Sequence, residues 1–204
     1  MTAASVTHET VHPEDLFRTQ RLGVLLLITA DVAFVLSLIF TYFYLRGLNT
    51  NNGWIFPHYP QTASIGFSWL IAAVMVLAAL AYQWGAAGSR AGDNNRLVTG
   101  ALGALLLVLV DAGMQLYQLS TLPFKTTTGG YASSFIVLAG YHFVHLLLTL
   151  FIGLALWNRA RMGKYTGGNY WQVRLVGYWY VWVMISAILT ALTTSFVASP
   201  NAVG

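Results

Sequence analysis

Five long apolar runs dominate the sequence, and they restrict its fold more than any other feature does. A transmembrane helix needs about 20 apolar residues to cross roughly 30 Å of hydrocarbon, and each run is long enough. The period-2 alternation typical of a membrane β-barrel is missing. The sequence therefore predicts an all-α, polytopic membrane protein, a bundle of five transmembrane helices. The predicted spans cover about residues 22–45, 65–87, 97–119, 133–157 and 175–197.

Composition agrees with this interpretation. Only 8% of the 204 residues are charged, whereas soluble domains carry roughly 25%. Connectors rich in Gly and Asn, such as GLNTNNG and GSRAGDNN, separate the runs. We predict an N-terminal tail over residues 1–20 and one transmembrane domain over residues 21–204. The chain has no cysteine, which excludes disulfides and thiolate metal sites.

The basic residues predict how the chain is oriented in the membrane. Eight Lys and Arg residues lie in the tail, the second loop and the fourth loop, while Arg46 and Lys125 lie on the other side. Since cytoplasmic segments carry the excess of basic residues, the N-terminus is predicted to be cytoplasmic and the C-terminus outside. The basic residues flank apolar runs instead of forming one patch, which favours membrane topology over nucleic-acid binding.

Four ionisable residues fall inside the predicted spans. They are Asp31 in the first span, Asp111 in the third, and His142 and His145 in the fourth. Placing such a group in hydrocarbon costs about 2.5–3.5 kcal/mol on insertion scales, so it normally faces the bundle interior and has a partner. Counting along the helices places Asp31 at the depth of the two histidines and Asp111 further out.

Spacing groups these residues into helix faces. Asp111, Gln115 and Gln118 follow an i, i+4, i+7 pattern, which is one face of the third span. His142 and His145 share a face of the fourth span with Thr149.

We predict a polar seam between spans one, three and four, in which Asp31 hydrogen-bonds or ion-pairs with one histidine. The alternative is that these side chains only link helices, at about 0.6 kcal/mol per hydrogen bond.

The sequence predicts no catalytic or metal site in this chain. Two histidines on one helix supply two ligands, whereas zinc and iron sites need three or four. Bis-histidine haem ligation takes one histidine from each of two helices. No nucleophile with a base and no phosphate-binding loop is apparent.

Four segments, in this order, resemble the motifs of one family. They are RLGVLLLITADVAFVLSLIFTYFYLR, AGMQLYQL, SSFIVLAGYHFVHLLLTL and GYWYVWVMISAI. Together they resemble subunit III of haem–copper terminal oxidases in its compact five-helix bacterial form, from about residue 21 to 197. The pair His142 and His145 matches the family's His-Gly-x-His motif and is the most specific match, while Asp31 falls on the acidic position of the first motif.

The chain departs from the family pattern at several positions. Gln115 and Gln118 stand where the family has glutamates, and Tyr180 and Val183 stand where it has histidine and aspartate. Asp111 is an acid that the pattern does not call for, and the resemblance is therefore to a divergent member.

The resemblance implies a non-catalytic subunit of an oxygen-reducing complex in the bacterial cytoplasmic membrane. Such a subunit carries no haem or copper itself, because these cofactors belong to partner subunits. It packs on catalytic subunit I, in a complex that includes subunit II and small subunits. It also binds phospholipids in a cleft and supports proton uptake and stability.

Two alternatives compete with this interpretation. The first is a small proton-coupled transporter or channel subunit that uses Asp31, Asp111, His142 and His145 as a relay. The sequence shows neither an inverted repeat nor a span broken by a central proline, and both absences count against a transporter. The second is a metal-binding subunit of a membrane monooxygenase.

Overall fold

The computed structural model describes residues 13–55, 61–165 and 170–200. Within these ranges the chain forms five long α-helices and no strand, and each helix is long and apolar enough to cross a membrane. The predicted all-α class with five spans is confirmed. A short 3₁₀-helix, Thr50–Asn52, follows the first long helix. The long helices are α1 (Pro13–Leu48), α2 (Ile65–Arg90), α3 (Asn94–Ser120), α4 (Gly130–Arg161) and α5 (Trp171–Thr194).

Most helices extend beyond their apolar runs, because hydropathy marks only the part that matches the hydrocarbon. Part of the predicted tail, residues 13–20, is already helical, and residues 1–12 lie outside the described ranges. The last helix is the exception at its C-terminal end, since it stops at Thr194 and not near Val197. Beyond it, the carbonyls of Phe196 and Val197 accept hydrogen bonds from Tyr42 Oη and Trp54 Nε1.

Helices α2 to α5 form a closed ring, and α1 is attached to its outside. In the ring, α3 contacts α2 and α4, and α5 contacts the same two helices from the other side. In the part of the chain that the structure describes, α1 packs on α4 and α5 and makes no contact with α2 or α3. Only 6% of the apolar segment of α1 is buried, against 39–50% for the others. We call the end of the bundle where α1, α3 and α5 finish the far end.

Small residues allow the ring helices to approach closely. At the α2–α3 crossing Gly85 faces Gly100, and an added Cβ on Gly100 would lie 2.5 Å from the Gly85 Cα. Buried alanines such as Ala78 and Ala104 extend this contact along both helices. Small interfacial residues are the usual basis of helix packing in membranes, where lipid removes the hydrophobic drive for association.

Candidate functional site

Helix α4 positions both intramembrane histidines. His142 and His145 lie three residues apart, so their side chains leave the helix about 60° apart and face different neighbours. Both are buried, at 2% and 3% exposure. His142 faces Asp111 of α3, and His145 faces Asp31 of α1. Each histidine is therefore matched to one of the two aspartates in the spans.

Asp31 accepts three hydrogen bonds from the helices on which α1 packs. His145 Nε2 lies 2.7 Å from Asp31 Oδ2. Tyr141 Oη donates to Oδ1, and Trp182 Nε1 donates to Oδ2. The Tyr141 hydroxyl and the Trp182 indole donate, and His145 Nε2 donates when it carries the ring proton, so Asp31 has a partner on each carboxyl oxygen. The Asp31 site connects α1 to both α4 and α5.

Aromatic side chains and a threonine hold His145 in place. Its ring packs edge-on against Tyr141, with centroids 4.5 Å apart, and against Trp179 at 5.7 Å. Thr149 Oγ1 donates to the His145 carbonyl at 2.7 Å and accepts from Trp179 Nε1 at 2.9 Å. The imidazole is therefore fixed in the orientation that points Nε2 at Asp31.

The second pair is buried but not hydrogen-bonded. His142 Nε2 lies 3.9 Å from Asp111 Oδ2, and Asp111 is fully buried. Among the described residues, neither carboxylate oxygen and neither ring nitrogen of this pair has a hydrogen-bond partner. The Asp111–His142 pair thus differs sharply from the Asp31 site, although both consist of the same residue types.

The glutamines of α3 continue from Asp111 toward the far end. Gln115 Nε2 donates to Gln118 Oε1 at 3.0 Å, and Gln118 Nε2 donates to Ser68 Oγ of α2 at 2.9 Å. Ser68 Oγ in turn donates to the Ser64 carbonyl at 3.3 Å. Ser64 is exposed at the start of α2, so this chain of amides and hydroxyls links the interior to the surface.

The structure divides the predicted polar seam into two sites. Spans one, three and four were expected to share one seam, but among the described residues α1 and α3 both pack on α4 without contacting each other. Asp31 and His145 meet where α1 packs on α4, whereas His142 meets Asp111 of α3, the helix that also carries Gln115 and Gln118.

Sequence reasoning missed three aromatic members of the Asp31 site, namely Tyr141, Trp179 and Trp182. Tyr141 directly precedes His142, and the two tryptophans lie in the GYWYVWVM segment that was already singled out. A search for donor-bearing aromatic residues at the depth of Asp31 would have found them.

In the last span, the two positions that depart from the family motif are filled by residues that pack in the core. Tyr180 stacks on Tyr82 with ring centroids 4.4 Å apart and planes 9° apart, and Val183 is fully buried. In the described part of the chain, no three His, Asp or Glu side chains come together as a metal site would require.

Comparison with known proteins identifies the family. The family model for cytochrome c oxidase subunit III matches residues 2–192. The chain belongs to this family. It is 24% identical to cytochrome c oxidase subunit 3 of Thermostichus vulcanus over 203 residues, which cover 94% of both chains. It is 27% identical to that of Synechocystis sp., over 83% of this chain and 74% of the relative. The Marchantia polymorpha protein of the same name is 24% identical, over 81% and 65%.

Membership of the subunit III family confirms the resemblance drawn from the motifs. The chain is a multi-pass membrane protein and a non-catalytic oxidase subunit that associates with other oxidase subunits. The transporter alternative finds no support in these matches.

Proposed function

We propose that this chain packs on catalytic subunit I of a haem–copper terminal oxidase in the bacterial cytoplasmic membrane. Subunit II and small subunits complete the assembly, and the haems and copper belong to these partners. In this role the chain holds phospholipid and supports proton uptake and the stability of the oxygen-reducing complex. The observation that carries the proposal is the family match over residues 2–192.

The exposure of α1 supports a role in an assembly. Its outer face presents large apolar side chains, among them Leu26 at 60% and Phe40 at 69% exposure. In a bundle that crosses a membrane, such a face meets lipid tails or the helices of another subunit. With the positive-inside orientation, the far end of the bundle lies outside the cell.

A groove between α1, α4 and α5 fits the proposed phospholipid. It has a volume of about 310 Å³ and lies at the end of the bundle opposite the far end. Apolar side chains such as Phe151 and Leu175 line it, together with Arg159, Gln20 and Trp171. Apolar walls beneath a guanidinium suit an acyl chain beneath an anionic headgroup.

The lipid part of the proposal is tested by native mass spectrometry of the purified complex. Arg159→Gln should reduce the retained anionic phospholipid. Arg161→Gln is a matched control, because Arg161 stacks on Trp157 and lies outside the groove. Equal lipid retention in both variants would contradict the assignment of this groove.

The proton-linked part of the proposal depends on Asp31, which joins three helices. If Asp31 is proton-linked, Asp31→Asn should alter the pH profile of oxygen consumption. A variant that assembles and works normally over a broad pH range would remove proton uptake from the proposal.

The assembly itself is tested by a pull-down with a tag at the N-terminus in mild detergent, followed by a reduced-minus-oxidised visible spectrum. We expect an a- or o-type haem signal and a large polypeptide rich in histidine. A colourless, monodisperse preparation without a partner would overturn the proposal.

A further inference from the structure

The Asp111–His142 pair is the least satisfied polar group in the described part of the chain. Two carboxylate oxygens and two ring nitrogens are buried together without a hydrogen bond to protein. A buried polar group without a partner is costly. His142 Nε2 and Asp111 Oδ2 are 3.9 Å apart, too far for a direct hydrogen bond, so a water molecule is the partner to look for.

A small, partly enclosed cavity is lined by His142, but not by Asp111. Its volume is about 10 Å³, which is close to the space that one water molecule needs. Polar side chains from three other helices reach its wall, namely Ser68, Gln115, Gln118, Thr190 and Thr194. A cavity of this size with several polar partners is the kind that binds water, whereas apolar cavities stay dry.

A polar path joins the cavity to the far end. Gln118 lines the cavity and also an open groove of about 320 Å³ at the surface. Thr62, Ser64 and Thr121 line the same groove, and Ser64 is exposed. Water therefore has a side-chain route from the far surface to His142, with Gln118 at the boundary.

Charge balance fixes how many protons the pair holds. A carboxylate beside a neutral imidazole would leave one net negative charge in the membrane, and a carboxylic acid beside an imidazolium would leave one net positive charge. Either state is expensive to bury, so the pair keeps one proton. At 3.9 Å, without further hydrogen bonds, an ion pair lacks the geometry that offsets desolvation. The proton therefore resides on the Asp111 carboxyl.

We propose that Asp111 and His142 form a hydrated proton-binding site, in which a neutral Asp111 carboxylic acid is bridged by water to His142 and exchanges its proton with water at the far end of the bundle. The carboxyl O–H bond breaks as the proton passes to water, and re-forms when a proton returns. The site is separate from Asp31, which lies where α1 packs on α4 and α5 and has three hydrogen-bond partners of its own.

Other ionisable groups near the pair are few. On α4 itself, His145 interacts electrostatically with His142 but is engaged by Asp31 of α1. Among the described residues that line the cavity, α2, α3 and α5 supply hydroxyls, amides and apolar groups, and His142 is the one ionisable side chain.

Infrared spectroscopy of the intact oxidase complex tests the proposal. Wild type should show the carbonyl stretch of a protonated carboxylic acid, and this band should shift when H₂O is replaced by D₂O. Asp111→Asn should lose the band. Asp31→Asn should keep it, which assigns the band to one of the two aspartates in the spans.

Access is tested separately, with both members of the pair left intact. Gln118→Leu should slow the deuterium shift of the band, because it removes the polar boundary between groove and cavity. Gln83→Leu is the matched control, since Gln83 donates to the Gly177 carbonyl away from this route. It should leave the exchange rate unchanged.

Two outcomes would overturn the proposal. A wild-type spectrum without a protonated-carboxyl band would mean that Asp111 is ionised. A band that does not shift in D₂O would mean that the site is dry. Both are measured on the wild-type complex and stand even if Asp111→Asn fails to assemble.

Discussion

Helix α1 and the ring of α2 to α5 are held in place by different means. Only 6% of the apolar segment of α1 is buried, and beside a few core side chains such as Val35 its attachments include polar ones, with Asp31 at mid-helix and Tyr42 near its end. The ring helices are far more buried and meet through glycine and alanine, as at Gly85 and Gly100. Hydrogen bonds therefore contribute a larger share of the attachment of α1, whereas close backbone approach assembles the ring.

The difference explains why the two histidines of α4 form such different pairs with aspartate. Asp31 lies at a loosely packed boundary, where side chains from α4 and α5 have room to turn toward it. Asp111 lies inside the tightly packed ring, where protein donors cannot reach it and only a small cavity remains beside His142. The same residue types thus connect α1 to α4 at the Asp31 site, and form an isolated buried pair at Asp111 and His142.

The largest effect is expected from Asp31→Ala, which removes the hydrogen bonds that connect α1 to α4 and α5. Three hydrogen bonds are lost, and at 0.6–1.7 kcal/mol for each bond within a membrane the free energy of unfolding should fall by about 2–5 kcal/mol. SDS titration of the purified chain, followed by circular dichroism, measures this change. A loss as small as that of a single hydrogen bond would mean that α1 is held mainly by apolar packing.

The ring is tested by Gly100→Ala. The new methyl group would meet Gly85 backbone atoms 2.5–2.8 Å away, and backbone cannot yield as a flexible side chain can. Overpacking of this kind costs about 1–3 kcal/mol, and we expect the upper end of that range. Gly103→Ala is the matched control, because nothing lies within 4 Å of a Cβ there. If both variants unfold at the same SDS concentration, the α2–α3 contact does not depend on close approach.

A smaller effect is expected from Trp54→Phe at the far end. Trp54 is buried, and its indole donates to the Val197 carbonyl at 2.6 Å, which ties down the segment after α5. Loss of one such bond costs about 0.5–1.5 kcal/mol. Hydrogen–deuterium exchange should become faster over residues 195–200 and stay unchanged elsewhere. Trp84→Phe, at an exposed position on α2, should have no effect on these amides.

The fold was largely predictable from sequence, because five apolar runs of spanning length leave few alternatives. Helix ends were less so. Just after the end of α5, the carbonyls of Phe196 and Val197 accept hydrogen bonds from Tyr42 and Trp54, which are distant in sequence and which a hydropathy pattern does not reveal.

The residues of the candidate site were predictable from sequence, but their separation into two sites was not. The ionisable residues stood out because charge is rare in these spans, and pairing of Asp31 with a histidine was among the expectations. Which side of α4 each neighbour occupies is set by the packing of whole helices. Spacing within one helix does not contain that information, so Asp111 was placed in the same seam as Asp31.

The smallest effect is expected from Asp111→Asn, with Asp31→Asn as its counterpart. Asp31→Asn and Asp111→Asn make the same chemical change in the two pairs. At position 31 the new amide group faces donors from Tyr141, His145 and Trp182, so at least one hydrogen bond is replaced by a donor–donor contact. We expect a loss of about 1–3 kcal/mol there.

At position 111 no hydrogen bond to protein is broken, and an amide can still bind the bridging water. The change should be about 0.6 kcal/mol or less, the value of one hydrogen bond within a membrane. SDS titrations of the two variants side by side measure the difference. Equal losses would mean that Asp111 makes a strong hydrogen bond in the membrane, and that the two pairs differ less in their energetics than in their geometry.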